Sequence, residues 1–412
     1  MEIDNEVDEC YPSYMLELHE NIRGIQIKRS NGYRIYTYDR NMICFDAPIQ
    51  IRQYRSVIFD EYGLVSFSPP RSVDYKNFDL DTKQQNIYIN EAIEGIMVQL
   101  FYSASKNSWK IATRNVIGGN YLISDKTLLE MVLDVFIPSS NSPNNSINSI
   151  NDIPAIQQLY QNYSYTFVLQ HPNNIILLPI KQPALYVCAV YDISTYDDKS
   201  RAIYIPPPVY EEWQCFEDTP FLFPKNYTNT NTNTNTNTNI NQVKKCVESC
   251  QLNMLCMGLM VTNLVTGDRC KFLNPDYMDA MNLNNLDPCL QYQYLCLHRI
   301  NRINEYISYF PKQKTAFMQF SKQYRNFAKG LHESYLLRYV QKEKLETLEK
   351  SETKTKYTEL VDRLHHEIYL PSLRKNKRQR ITLDIVREYM RGLTPLEMMH
   401  YLNYDQRLLI GL

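Results

Sequence analysis

Hydrophobic and polar positions alternate along much of the first 300 residues, which is the period of half-buried strands. "GIQIKRSNGYRIYTY" holds two such runs around Asn31-Gly32, a dipeptide that tolerates the left-handed backbone of a tight hairpin. "YRSVIFDEYGLVSFSPP" repeats the pattern with Tyr62-Gly63 at its turn, and "IMVQLFYSASKNSWKIATRN" predicts a third hairpin. "YTFVLQHPNNIILLPI" and "ALYVCAVYDIS" predict further strands, and "LCMGLMVTNLVTGDRCKFLN" another hairpin turning at Thr266-Gly267. After about residue 300 the period lengthens. Phe317, Phe320, Tyr324, Phe327, Leu331 and Tyr335 recur at three to four positions, as on one face of a helix. "TPLE" (394–397) reads as a helix start, with Thr394 as N-cap, Pro395 in the first turn and Glu397 closing a capping box. Four or five helices are expected there, with "KSETKTK" as a loop.

Two polar stretches interrupt the pattern. "SSNSPNNSINSIND" (139–152) reads as a loop. The segment 226–242 contains a Thr-Asn repeat (228–239) with no apolar residue to bury, so a surface insertion is expected. Such a dinucleotide-like repeat has the look of slippage in an AT-rich gene.

Composition narrows the classes. The 412 residues suffice for two or three domains. Tyrosine is abundant at 33 and glycine scarce at 11. Neither GxGxxG nor GxxxxGK[ST] occurs, which removes the signatures of dinucleotide-binding and P-loop sites. From Arg299 onward, 22 Lys and Arg stand against 13 Asp and Glu, a net +9, leaving −10 for the rest of the chain's formal −1. This asymmetry points to a separate basic domain. Within it, "RKNKRQR" carries Arg374, Lys375, Lys377, Arg378 and Arg380, a solvated loop or a phosphate-contacting surface. The acidic start lacks the apolar core of a signal peptide, and no window of about 18 apolar residues occurs, so no membrane span is expected. The ten cysteines then read as reduced thiols of an intracellular protein. Cys246, Cys250, Cys256, Cys270, Cys289, Cys296 and His298 lack the short CxxC pairs of structural zinc, and buried thiols are expected instead. His365-His366 reads as a packing pair on a helix.

Covalent nucleotidyl transfer needs a lysine amine to attack the α-phosphate, further cations to neutralise the phosphates, and carboxylates for ribose and metal. The chain carries segments in the order of such an enzyme. "YRSVIFDEYGLVSFSPPRSVDYKNF" (54–78) precedes "EAIEGIMVQLFY" (91–102), then "WKIATRNVIGG" (109–119), "YSYTFVLQHPNNIILLP" (163–179), "MGLMV" (257–261) and "RCKFLNPDY" (269–277). Over residues 20 to 285 this series resembles RNA ligases of the T-even phage type, within the covalent nucleotidyltransferase superfamily. As a whole the chain resembles ligase-related proteins of unknown role from giant DNA viruses.

The resemblance implies an α+β fold: a ligase-type nucleotidyltransferase domain with two antiparallel sheets around a cleft, then an α-helical domain. The implied boundaries are 1–19 for a leading segment, 20–298 for the ligase-like domain and 299–412 for the basic helical domain. Arg55 matches a phosphate-facing arginine, Glu94 and Gly95 the nucleophile motif, and Arg114 a basic strand residue. Pro172 and Asn174 match the third motif, Gly258 the fourth, and Lys271 and Tyr277 the fifth. The reactive positions depart from it. Ala92 stands where the nucleophilic lysine belongs, Val168 and Met257 replace glutamates, Ile175 replaces an arginine, and Leu273 replaces a second lysine. Lys83 and Lys106 lie too far along the chain from Gly95 to take over. Charges without a ligand are costly to bury and tend to be lost together.

The resemblance therefore implies an inactive RNA-ligase-like protein that binds RNA or a protein partner, with no cofactor expected. The alternatives are a working ATP- and Mg-dependent RNA ligase with a displaced nucleophile, and a structural virion or scaffold protein. The remaining Arg55, Glu94, Arg114 and Lys271 read either as a structural set, with Glu94 paired to Lys271 or Arg55, or as a residual anion or nucleic-acid-end site.

Overall fold

The computed structural model describes residues 11–16, 24–39, 48–73, 78, 87–123, 125–137, 148–193, 200–228, 256–284, 289–341, 356–374 and 380–409. The chain forms two compact units, Met1–Met278 and Asp279–Leu412.

The first unit is built from antiparallel hairpins, and its described residues form three sheets rather than the expected two. A four-stranded sheet runs β2 (Ile25–Ser30), β3 (Tyr33–Tyr38), β4 (Val57–Phe59), β5 (Leu64–Phe67). The β2–β3 turn is Asn31-Gly32, at φ 52° and 86°, the left-handed pair that the dipeptide suits. A three-stranded sheet runs β14 (Arg269–Leu273), β13 (Gly258–Asn263), β6 (Ile87–Glu91).

The largest sheet has the order β1 (Ser13–Leu16), β11 (Ser200–Ile205), β10 (Ala184–Asp192), β9 (Tyr163–Gln170), β7 (Ile96–Ser103), β8 (Ser108–Ala112). A two-residue strand, β12 (Phe221–Leu222), pairs in parallel with β10.

Aromatic side chains fill the layer where the four-stranded and seven-stranded sheets meet. Phe67 lies 5.0 Å from Tyr14 and 4.7 Å from Tyr191, ring centre to ring centre. Burying each such ring removes a large apolar area from water, so this layer carries much of the unit's stability. The other face of the large sheet is covered by helix Leu128–Leu133, which the reciprocal Thr127–Glu130 capping box starts.

The polar loop expected at 139–152 gives way at its end to a 3-10 turn, Ile150–Asp152, in which Ile150 is buried. Asn151 accepts from the Trp109 amide at 2.7 Å, a bond that polar composition alone does not reveal. The insertion expected at 226–242 likewise begins as paired backbone. Tyr227 N donates to Ile89 O at 2.8 Å, and Glu91 N to Lys225 O at 2.9 Å. The rest of that insertion, with Cys246 and Cys250, lies outside the described residues.

The second unit is helical. Helix Lys314–Tyr339 buries Phe317, Tyr324, Phe327, Leu331 and Tyr335 on the expected face. Helices Leu290–Arg299, Thr358–Leu364, Leu383–Gly392 and Pro395–Leu402 contribute to the same core. The Thr394–Glu397 capping box is present with both reciprocal bonds. His365 opens a π-helical turn, His365–Tyr369, and stacks on Tyr339 with ring centres 3.8 Å apart, a packing role. Among the described residues no helix is long and apolar enough to cross a membrane.

Candidate functional site

A pocket of about 670 Å³ opens in the first unit, lined by residues from all three sheets. Strand ends converge there. Tyr38 closes β3, Arg71 follows β5, Ala92 follows β6, Gly95 precedes β7 and Arg114 follows β8, while Thr166, Val168, Cys188, Met260, Arg269 and Lys271 lie within strands. Sheet register explains the far wall. Lys271 on β14 pairs with Met260 on β13, and Met260 with Asn90 on β6. Arg269 and Lys271, two apart on one strand, share a face.

The structure thus gathers Arg55, Ala92, Gly95, Arg114, Val168 and Lys271 at one pocket. Glu94, Met257, Gly258 and Leu273 are not among its lining residues. Glu94 is buried and turned elsewhere. One carboxylate oxygen accepts from the amides of Leu177 and Leu178 at 3.0 and 2.9 Å, and the other from the Tyr277 hydroxyl at 2.6 Å. The expected pairing with Lys271 or Arg55 is therefore replaced by a brace that ties the segment after His171 and the start of helix Pro275–Leu283 to the entry of β7. Met257 offers its carbonyl to Asn274 N at 3.0 Å, and Leu273 pairs with Gly258 across the β13–β14 ladder.

The two matched glycines answer to space. A Cβ at Gly95 would fall on the Leu169 carbonyl oxygen and lie 2.8 Å from Val168 Cγ1. At Gly258, where φ is +138°, it would fall on the Phe272 carbonyl oxygen.

Charge in the pocket is one-sided. Arg55, Arg71, Arg114, Arg269 and Lys271 line it against a single carboxylate, Glu91. Arg114 is held in place. It donates to the carbonyl oxygens of Tyr38 at 2.5 Å and Arg55 at 3.2 Å, and its guanidinium sits 4.3 Å from the centre of the Tyr38 ring. Arg71 approaches the same ring at 5.8 Å. Arg269 donates to Pro70 O at 3.1 Å.

These cations press on one another. Lys271 is exposed, but its open side lies in the pocket, whose walls strip water from the amine. That desolvation, then the charges of Arg55 and Arg269, lower its pKa to about 8. Arg55 falls to about 10, first from burial and then from Arg269, with Tyr38 opposing and Arg114 adding. Burial raises the Glu91 carboxyl above its ordinary value, against the pull of Lys225. The Cys188 thiol is pushed up to about 12, again mainly by burial. Three buried polar atoms on lining residues, Asn90 Oδ1, Thr166 Oγ1 and Arg269 Nε, have no hydrogen-bond partner among the described residues. Such orphans are rare in folded proteins and are ordinarily satisfied by water or a ligand.

Sequence reasoning missed Arg71, Arg269, Glu91, Cys188 and Tyr38. Arg269 alone had a local signal, its period-2 spacing from Lys271. Arg380 is exposed, while the side chains of Arg374, Lys375, Lys377 and Arg378 lie outside the described residues. Cys256 and Cys270 are buried as expected, whereas Cys289 is exposed. No group of three His, Cys, Asp or Glu able to hold a metal occurs among the described residues.

No family model and no curated protein matches this sequence. Among solved structures, a putative ATP-dependent DNA ligase from Aquifex aeolicus aligns at TM-score 0.39 and 11% identity, over 75% of this chain and 78% of that one. An archaeal ATP-dependent RNA ligase aligns at 0.36 and 9%, over 93% of each chain. A mutant Naegleria gruberi RNA ligase with ATP and Mn aligns at 0.35 and 13%, over 52% of this chain and 57% of that one.

Proposed function

We propose that the first unit is an RNA-ligase-like nucleotidyltransferase fold that performs no lysyl-adenylate chemistry and binds RNA by a phosphate held in its pocket. The carrying observation is the charge of the lining: five cations face one carboxylate, and Ala92, which the motif resemblance aligns with the nucleophile, lines the same pocket. A concave surface of one sign concentrates field on an anion and strengthens its binding. The unpartnered Thr166 hydroxyl and Arg269 Nε–H offer donors that orient such an anion.

The test has two arms. Incubation of the full chain with α-labelled ATP and Mg or Mn is expected to leave no label on a denaturing gel. Binding of a 5′-phosphorylated oligoribonucleotide at low salt is expected to weaken at least about tenfold in Lys271→Ala and Arg269→Ala variants, each having lost one phosphate-facing charge. Absence of any nucleic-acid binding at low salt would favour a scaffold or a protein partner instead.

One observation favours a second reading. Lys271 lies in the pocket with its amine partly unprotonated near neutral pH, as a displaced nucleophile requires. On that reading its Nζ attacks the α-phosphorus, a P–N bond forms, the P–O bond to pyrophosphate breaks, and the ammonium proton passes to solvent. A stable label mapping to Lys271 would establish it and sink the first reading.

A further inference from the structure

We propose that the pocket takes its phosphate ligand as the bare anion, so that a divalent cation competes with the protein for the ligand instead of joining it. This rests on the reading of the pocket as a phosphate site and adds how the charge is balanced there.

Magnesium demands near-octahedral oxygen ligands and is usually held by one or two carboxylates together with substrate phosphates. The pocket offers one carboxylate, Glu91, and burial already disfavours its ionised form. Cys188 is a neutral thiol and soft, a poor partner for a hard cation. Two β9 positions face the pocket: Val168, between Met97 and Tyr186 in the sheet, brings no donor, and Thr166 brings only a neutral hydroxyl, which with the neutral Asn90 Oδ1 adds no charge to hold a divalent cation. Neutralisation of a phosphate here falls instead to the arginines and to Lys271. Chelation lowers the negative charge that these cations attract, and the bound metal adds repulsion against them, most strongly where the walls exclude water. Metal and protein therefore serve the same oxygens and exclude each other.

The test is equilibrium binding of ATP to the full chain at fixed pH and ionic strength, once in EDTA and once with Mg²⁺ in excess over ATP. Binding in EDTA that weakens about tenfold or more with Mg²⁺ is the expected result. 5′-AMP, which chelates Mg²⁺ weakly, is the control and is expected to change by less than about twofold. Equal or tighter ATP binding with Mg²⁺ overturns this inference and leaves the phosphate pocket standing. No binding of either nucleotide in either buffer overturns the phosphate pocket itself, and this inference with it.

Discussion

Lys271 makes the pocket proton-sensitive. Its depressed pKa means that the amine carries charge below about pH 8 and loses it above. A bound anion stabilises the charged form, so binding takes up a proton and weakens as pH rises through that value. We expect oligonucleotide affinity to fall several-fold between pH 7 and pH 9 at constant ionic strength, and the fall to vanish in Lys271→Met. A pH dependence retained in that variant would move the effect to another group. Arg55 titrates near 10, above this window. Lys271 also stands apart from ordinary lysines in reactivity, because only the neutral amine is a nucleophile.

Among the elements, the brace at Glu94 deserves its own measurement. Its carboxylate accepts two amides and one hydroxyl while buried, so each lost donor costs more than a surface bond. Tyr277→Phe removes one charge-assisted bond and is expected to cost the first unit about 2 kcal/mol, read from its urea unfolding midpoint. A loss below about 0.5 kcal/mol would show that the two amides suffice. The hairpins were legible in the sequence because turn chemistry and period are local: Asn31-Gly32 and the alternation on either side name two strands and their register. Glu94 was not. It lies in the irregular stretch between β6 and β7, where alternation assigns no face, and its partners are 83, 84 and 183 residues away. Arg71 and Arg55 meet Arg269 and Lys271 only because sheets distant in sequence end at one place, and no local pattern encodes that convergence.

At the scale of the whole molecule, the charge is divided, with +9 from Arg299 onward and −10 before it. RNA that engages the second unit releases counterions in proportion to the phosphates neutralised, about 0.7 per phosphate for single strands. Replacing Arg374, Lys375, Lys377, Arg378 and Arg380 with glutamine is expected to reduce the slope of log affinity against log salt by about 2 to 3. An unchanged slope would assign the contact to the pocket alone.

A last consequence comes from the backbone pairing of Lys225 and Tyr227 with β6, where the Thr228 hydroxyl accepts from the Ile89 amide at 3.0 Å. Pro224, just before this seam, lines the pocket. Tyr227→Pro, which removes the amide donated to Ile89, is therefore expected to disturb a pocket wall, lower ligand affinity and bare the β6 edge to neighbouring chains.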